Sequence, residues 1–357
     1  MRKLLLLFIL LLIFPVPAKA DSRSIYLTSP ANRDFNGEFI NKEFESSLAP
    51  DSDLGKLVFS PIARPRVWII DAALVEDVES LADKNSLLAK NWIAKLKSTI
   101  GFDQIYATAY GNPDVIYLKS LAPTELDFYY RFGEERLTTL LNRGVRSENG
   151  SGFSYKRATV GADVREFFNL SRKEFSALAT VVNPIELDSG RAKIAQLFSP
   201  QLTEVQRRAL LRNFESQQPK LIGKLRIVSG RYKITTSNQK MPITLVNDFD
   251  SAAKVDLLFT PLNNRVVFPE YRQITLNPKS RIQVSVPIKT IAAGDVIVIA
   301  RFENGKGKTI GATGMLELSS TIISPAVTRF TTGAGVLLII AAIAQSVRRV
   351  RKNRKKV

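Results

Sequence analysis

Two patterns of apolar residues divide the chain. Between Leu221 and Ser320 apolar and polar positions alternate with a period of two. Val255, Leu257 and Phe259 form one such set, Ile282, Val284, Val286 and Ile288 a second, and Val296, Val298, Ala300 and Phe302 a third. Each set places its apolar side chains on one face of a sheet. Turn residues separate the sets: Asn247-Asp248, Pro261-Leu262-Asn263-Asn264, Asn277-Pro278 and Asn304-Gly305. Short strands at this spacing, with no helical stretch between them, predict an all-β immunoglobulin-like sandwich over residues 223–320.

The preceding residues read differently. Val67-Trp68-Ile69-Ile70 is a continuous apolar run of the kind buried on both faces of a parallel sheet, and Ile105–Ala109 and Leu178–Val182 repeat it. Between these runs the spacing turns helical. Leu74, Val78 and Leu81 share a face, as do Leu88, Trp92 and Leu96, and then Leu126, Tyr130, Leu137 and Leu141 behind Pro123 at a helix start. Alternating strands and helices predict an α/β domain with a parallel sheet over residues 21–216, joined by a linker at 217–222. Residues 21–55 and 147–161 show no periodicity and read as irregular.

The two ends predict an address. Arg2 and Lys3 precede an apolar run from Leu4 to Phe14, and Ala18-Lys19-Ala20 offers small residues for a cut after Ala20, so residues 1–20 read as a secretory signal. Residues 330–347 carry no charge, and at about 1.5 Å per residue they reach close to a hydrocarbon thickness of about 30 Å. Behind them, seven of the last ten residues are basic: Arg348, Arg349, Arg351, Lys352, Arg354, Lys355 and Lys356. Such a block stays cytoplasmic, which predicts a single-pass protein of the cell membrane with its N-terminal ectodomain outside and residues 348–357 as a cytoplasmic tail. Beside a spanning helix the basic block serves as a topology determinant that touches anionic headgroups, and no nucleic-acid partner is expected. Small residues in this segment, Gly333 and Gly335 near Ala341 and Ala342, would allow it to pack on another membrane protein.

Composition narrows the chemistry. There is no cysteine and no histidine among the 357 residues. Disulfides, thiol catalysis, histidine-dependent triads and imidazole zinc sites are all excluded. No cofactor and no metal are expected. Of the net charge of +18 the ten-residue tail supplies seven and Arg2 and Lys3 two, and the mild surplus of nine elsewhere permits attraction to anionic envelope polymers.

In parallel α/β domains ligands sit at the carboxyl ends of strands, which singles out Asp71 after Trp68-Ile69-Ile70 and Asp114 in Tyr110-Gly111-Asn112-Pro113-Asp114. One reading makes them a carboxylate pair facing a cleft, as glycan hydrolysis requires. The other makes each a helix cap, a position that Asp favours. Glu134-Glu135 and Glu186 with Asp188 read as solvated, and Phe128-Tyr129-Tyr130-Arg131-Phe132 as mostly core.

Ile70-Asp71-Ala72-Ala73-Leu74, Ala109-Tyr110-Gly111-Asn112-Pro113-Asp114, and the run from Ser324-Pro325-Ala326-Val327-Thr328 through Thr331-Thr332-Gly333-Ala334-Gly335-Val336 to the arginines resemble an uncharacterised family. Its members are actinobacterial secreted, C-terminally anchored envelope proteins, usually encoded near a lipid II flippase homologue. The resemblance implies an α/β ectodomain similar to polysaccharide-acting barrels, in degenerate form. Ala72 and Asn112 stand where that family favours Pro and Asp. The expected function is a non-enzymatic envelope protein that contacts cell-wall glycan or a membrane partner in cell-wall assembly. The alternative is a carboxylate-dependent glycan hydrolase or transferase using Asp71 and Asp114.

Overall fold

The computed structural model describes residues 23–149, 156–269, 271–321 and 325–354. It divides into two compact units, Met1–Asn169 with Asp188–Gln217, and Leu170–Leu187 with Gln218–Val357. The signal-peptide segment expected at residues 1–20 lies outside the described residues.

The first unit is α/β. Its strands β1 (Arg23–Leu27), β2 (Arg66–Ile70), β3 (Gln104–Ala107) and β4 (Arg146–Ser147) form a sheet in the order β1-β2-β3-β4, parallel throughout. Helix α1 (Asp53–Phe59) precedes β2, α2 (Ala72–Asp83) and α3 (Leu87–Ile100) connect β2 to β3, and α4 (Val115–Leu121) and α5 (Pro123–Leu141) connect β3 to β4. Val67, Trp68, Ile69 and Ile70 are all buried, because helices cover both faces of a parallel sheet. Most residues of the predicted helical faces are buried: Leu74 and Val78 on α2, Trp92 and Leu96 on α3, Leu126, Tyr130, Leu137 and Leu141 on α5, while Leu81 and Leu88 are half-buried. Among the described residues β1 and β4 do not pair, so the sheet is open rather than a closed barrel.

Two stretches depart from expectation. Ile25 and Leu27 alternate with exposed neighbours and form β1 within the stretch read as irregular. Leu178–Val182 is not a strand: it ends α6 (Ala162–Leu178) and continues in turns, with Ala179 N–H bonded to Phe175 O at 2.9 Å and Val182 N–H to Leu178 O at 3.1 Å. Phe175, Leu178 and Val182 are buried at helical and turn spacing, which the run of adjacent apolar letters conceals. Two more helices follow, α7 (Ile185–Lys193) and α8 (Glu204–Ile222), the latter running through Pro219.

The second unit holds β5 (Leu225–Ile227), β6 (Gly230–Ile234), β7 (Asn238–Asn247), β8 (Ala253–Pro261), β9 (Val266–Val267), β10 (Tyr271–Leu276), β11 (Ser280–Thr290), β12 (Gly294–Glu303) and β13 (Thr309–Ser320). Most of the alternating residues are its core: Val255, Leu257, Val286, Ile288, Val296, Val298, Ala300 and Phe302 are buried, while Phe259, Ile282 and Val284 are only half-buried. The immunoglobulin-like sandwich is corrected to one curled nine-stranded sheet, ordered β10-β8-β12-β13-β5-β7-β11-β9 with β6 on β13. The cause is β5. Three residues long, it pairs antiparallel with β7 on one side and parallel with β13 on the other, joining what would otherwise be two sheets.

The membrane span is also corrected. The last helix, α9 (Pro325–Arg354), is 30 residues long, yet no helix among the described residues is long and apolar enough to cross a membrane. Its charge-free run is short, Thr331, Thr332, Gln345 and Ser346 dilute it at both ends, and Arg348, Arg349, Arg351, Lys352 and Arg354 continue the same helix. The single-pass cell-membrane address, the outside ectodomain and the topology role of the tail were drawn from that span and do not stand. Lys355 and Lys356 lie outside the described residues.

Candidate functional site

Parallel register builds the site. Leu27, Ile70, Ala107 and Ser147 are aligned across the four strands. The residues one step further form a polar row at the carboxyl edge: Thr28, Asp71, Thr108 and Glu148. Ladder bonds continue into it, from Asp71 N–H to Leu27 O at 3.0 Å, Thr108 N–H to Ile70 O at 3.1 Å and Glu148 N–H to Ala107 O at 2.9 Å. Neighbours along the row are therefore about 4.8 Å apart, the spacing of paired strands.

Asp71 is consumed by structure. Buried at the start of α2, its Oδ1 accepts from Ala73 N–H at 3.0 Å and Gly111 N–H at 2.9 Å, tying the β2–α2 turn to the loop after β3. Burial, with Asp77 and Glu76 nearby, outweighs these bonds and pushes its carboxyl up to about 7. Asp114 is buried too, and caps α4 through Tyr117 N–H at 2.9 Å. Its other oxygen accepts from Arg157 Nε at 3.0 Å and Ala158 N–H at 2.8 Å. Both candidates are caps, and neither lines the cavity beside them.

That cavity, of about 290 Å3, opens over the row between the ends of β1, β3 and β4. Tyr26, Thr28, Thr108, Asn112, Pro113, Glu148, Lys156, Pro200 and Gln201 line it. Gln201 braces one wall, accepting from Asn112 Nδ2 at 3.2 Å and donating to Thr28 O at 3.3 Å. The segment carrying Pro200 and Gln201 is held by buried Arg207, which donates to the carbonyls of Leu197, Ser199 and Leu202. Gly133 lets α5 approach the row: a Cβ there would lie 2.5 Å from Thr108 O. Gly111, at φ +76°, has the same relation to Gln196.

Two groups of the cavity lack partners among the described residues. Thr108 is 2% exposed and its Oγ1 has no hydrogen bond. Glu148 is 4% exposed, its side chain makes no hydrogen bond or ion pair, and burial alone pushes its carboxyl up to about 7. Neither was singled out from the sequence. Thr108 sits inside an apolar run, and Glu148 follows a strand of two residues.

A second polar cluster lies on α2. Tyr110 OH donates to Glu76 Oε2 at 2.6 Å, Arg136 pairs with Glu76, and Arg33 Nε donates to Asp77 Oδ1 at 2.6 Å, with Asn32 on the other oxygen at 3.1 Å. Burial and Glu76 hold the Tyr110 hydroxyl well above its ordinary range, so it stays a neutral donor. Every charge here has an opposite partner, which makes the cluster a brace between α2, α5 and the loop after β3. No group of three or more acidic side chains able to hold a metal occurs among the described residues.

A sequence profile described as a family of unknown function, DUF6049, matches residues 168–354, just over half of the chain. The chain belongs to this family. The DUF6049 match contains the curled sheet together with Pro200 and Gln201 of the cavity, while the rest of the cavity precedes it. The search of curated proteins returned no match. Among solved structures, the chain is similar to WR4, an MSP family member of C. elegans, with 8% identity over 28% of this chain and 99% of that one, at a TM-score of 0.22. It is similar to Escherichia coli alpha-2-macroglobulin from domain MG7 to the C-terminus, with 12% identity over 27% and 16%, at 0.22. It is also similar to the secreted serine protease VesC from Vibrio cholerae, with 12% identity over 33% and 27%, at 0.25. The chain thus spans well under two thirds of these last two proteins, and likeness at such scores carries no functional argument.

Proposed function

We propose that the α/β unit is a non-catalytic glycan-binding module, engaging one unit of a polymer at the carboxyl edge of its sheet. The observation that carries this reading is the cavity over the polar row, whose lining is hydroxyl, amide and carboxyl groups with Tyr26, Pro113 and Pro200 as apolar surface. Hydrogen-bonding groups that fix orientation beside an aromatic or proline face are what a sugar ring needs. Its volume is at the small end of ligand pockets, about 300–1,000 Å3, and suits a single ring. Asp71 and Asp114 each cap a helix, which speaks against a hydrolytic pair. The resemblance to actinobacterial envelope proteins encoded near a lipid II flippase homologue makes cell-wall glycan the polymer class we favour.

The test is calorimetric titration of the full chain with soluble wall-glycan fragments across a salt series. Salt-resistant binding that Tyr26→Ala weakens at least tenfold is expected. No binding, or binding abolished at moderate salt, would sink the reading, because it would leave only the electrostatic attraction of a basic protein for an anionic polymer.

A further inference from the structure

We infer that the cavity reads an acetamido group, so that its ligand is an N-acetylated amino sugar held jointly by Thr108 and Glu148. This rests on the glycan reading and narrows it. The two side chains follow the aligned pair Ala107 and Ser147 on adjacent parallel strands, placing their backbones about 4.8 Å apart. Both residues are buried and line the cavity. The Glu148 carboxyl reaches the cavity space, while Thr108 Oγ1 is shut from water without a hydrogen bond among the described residues. Buried polar groups left in that state are rare and costly, and a ligand that supplies the missing partners removes the cost.

The chemistry of the pair selects the ligand group. A carboxyl oxygen accepts an N–H, and a threonine hydroxyl donates to a carbonyl; an amide presents one of each, side by side. A lone sugar hydroxyl can also donate to the carboxyl and accept from the threonine, so cellotetraose is the ligand that separates the two. An ammonium group is opposed by Lys156 on the same wall and by a net charge of +18. An anionic group would meet Glu148. Pro113 and Pro200 offer apolar surface for the acetyl methyl. With its carboxyl at about 7, Glu148 keeps an oxygen able to accept the amide N–H whichever form it takes.

The full chain would be titrated with tetra-N-acetylchitotetraose, its deacetylated form, cellotetraose and the peptide Ala-Ala-Ala, against wild type and Thr108→Val. The expected result is binding of the acetylated ligand at least tenfold tighter than of the other three, with that preference lost in Thr108→Val. Since Thr108→Val removes an unpartnered hydroxyl without changing shape, the variant should fold, and its thermal unfolding is measured alongside. Equal binding of cellotetraose and the acetylated ligand would overturn the acetamido inference while leaving the glycan reading intact. Equal binding of the peptide would overturn the sugar assignment, and failure of all four would overturn both.

Discussion

Asp71 carries the most exacting prediction, because it sits in the row without taking part in the cavity. Replacing it by Ala leaves the N–H groups of Ala73 and Gly111 without their acceptor inside the fold. Each buried, unsatisfied group costs about 1–3 kcal/mol, so Asp71→Ala should destabilise the α/β unit by about 2–6 kcal/mol at pH 5. That is a large part of a usual stability of about 5–15 kcal/mol. Asp71→Asn keeps an oxygen in place and should cost less than about 1 kcal/mol at the same pH. The pH dependence separates the two further. Burial raises the carboxyl from 3.8 to about 7, so the fold favours the protonated form. Its stabilising contribution is complete below about pH 4 and is lost as pH rises through 7, a change on the order of 4 kcal/mol. Asn does not titrate, so Asp71→Asn should overtake the wild type by pH 8. Both tryptophans of the chain, Trp68 and Trp92, are buried in this unit, so urea unfolding followed by their fluorescence reports it selectively. An Asp71→Ala variant within about 0.5 kcal/mol of wild type at pH 5 would refute the capping argument. Superimposable pH profiles for wild type and Asp71→Asn would refute the burial argument.

Gly133→Ala would push a Cβ to 2.5 Å from Thr108 O, and the resulting shift of α5 or the row should cost about 1–3 kcal/mol and lower glycan affinity together, measured by urea unfolding and calorimetry. Arg191 donates to both oxygens of buried Glu125, at 2.9 and 2.8 Å, and stacks 4.1 Å over Phe128. Arg191→Ala should cost about 3–5 kcal/mol in the same tryptophan-detected unfolding, and a loss under about 1 kcal/mol would contradict the pairing. In the curled sheet, buried Asn247 donates to Ser251 O, Leu276 O and Asn277 O and accepts from Phe249 N–H. Asn247→Ala should open the β7–β8 and β10–β11 turns, seen as faster amide exchange at Phe249 and Lys279 with Trp68 fluorescence unchanged.

Periodicity exposed β2, β3, the helices α2, α3 and α5, and the alternating strands of the second unit, because each has enough residues to repeat its period. It missed what repetition does not report. Strand β4 has two residues and β5 three, and these set the position of Glu148 and the continuity of the curled sheet. Adjacency of Thr28, Asp71, Thr108 and Glu148 depends on register between strands separated by long crossovers, and no local pattern encodes it. The single usable signal was the rule that ligands gather at strand carboxyl ends. Applied to Ile70 it found Asp71. Applied to Ile105–Ala109 it skipped Thr108, because the strand stops at Ala107 and the apolar run does not.

Asp71 and Glu148 occupy equivalent places in one row, and both carboxyls are raised to about 7, yet their roles diverge. The difference lies in the residues that follow. After Asp71 the chain enters a helix at Ala72-Ala73, whose first N–H groups need an acceptor, and the carboxylate is the nearest one. After Glu148 comes Asn149, whose N–H turns back to Ser147 Oγ at 3.2 Å rather than to the Glu148 carboxyl. Among the described residues none bonds to the Glu148 carboxyl, which leaves it for the ligand proposed above.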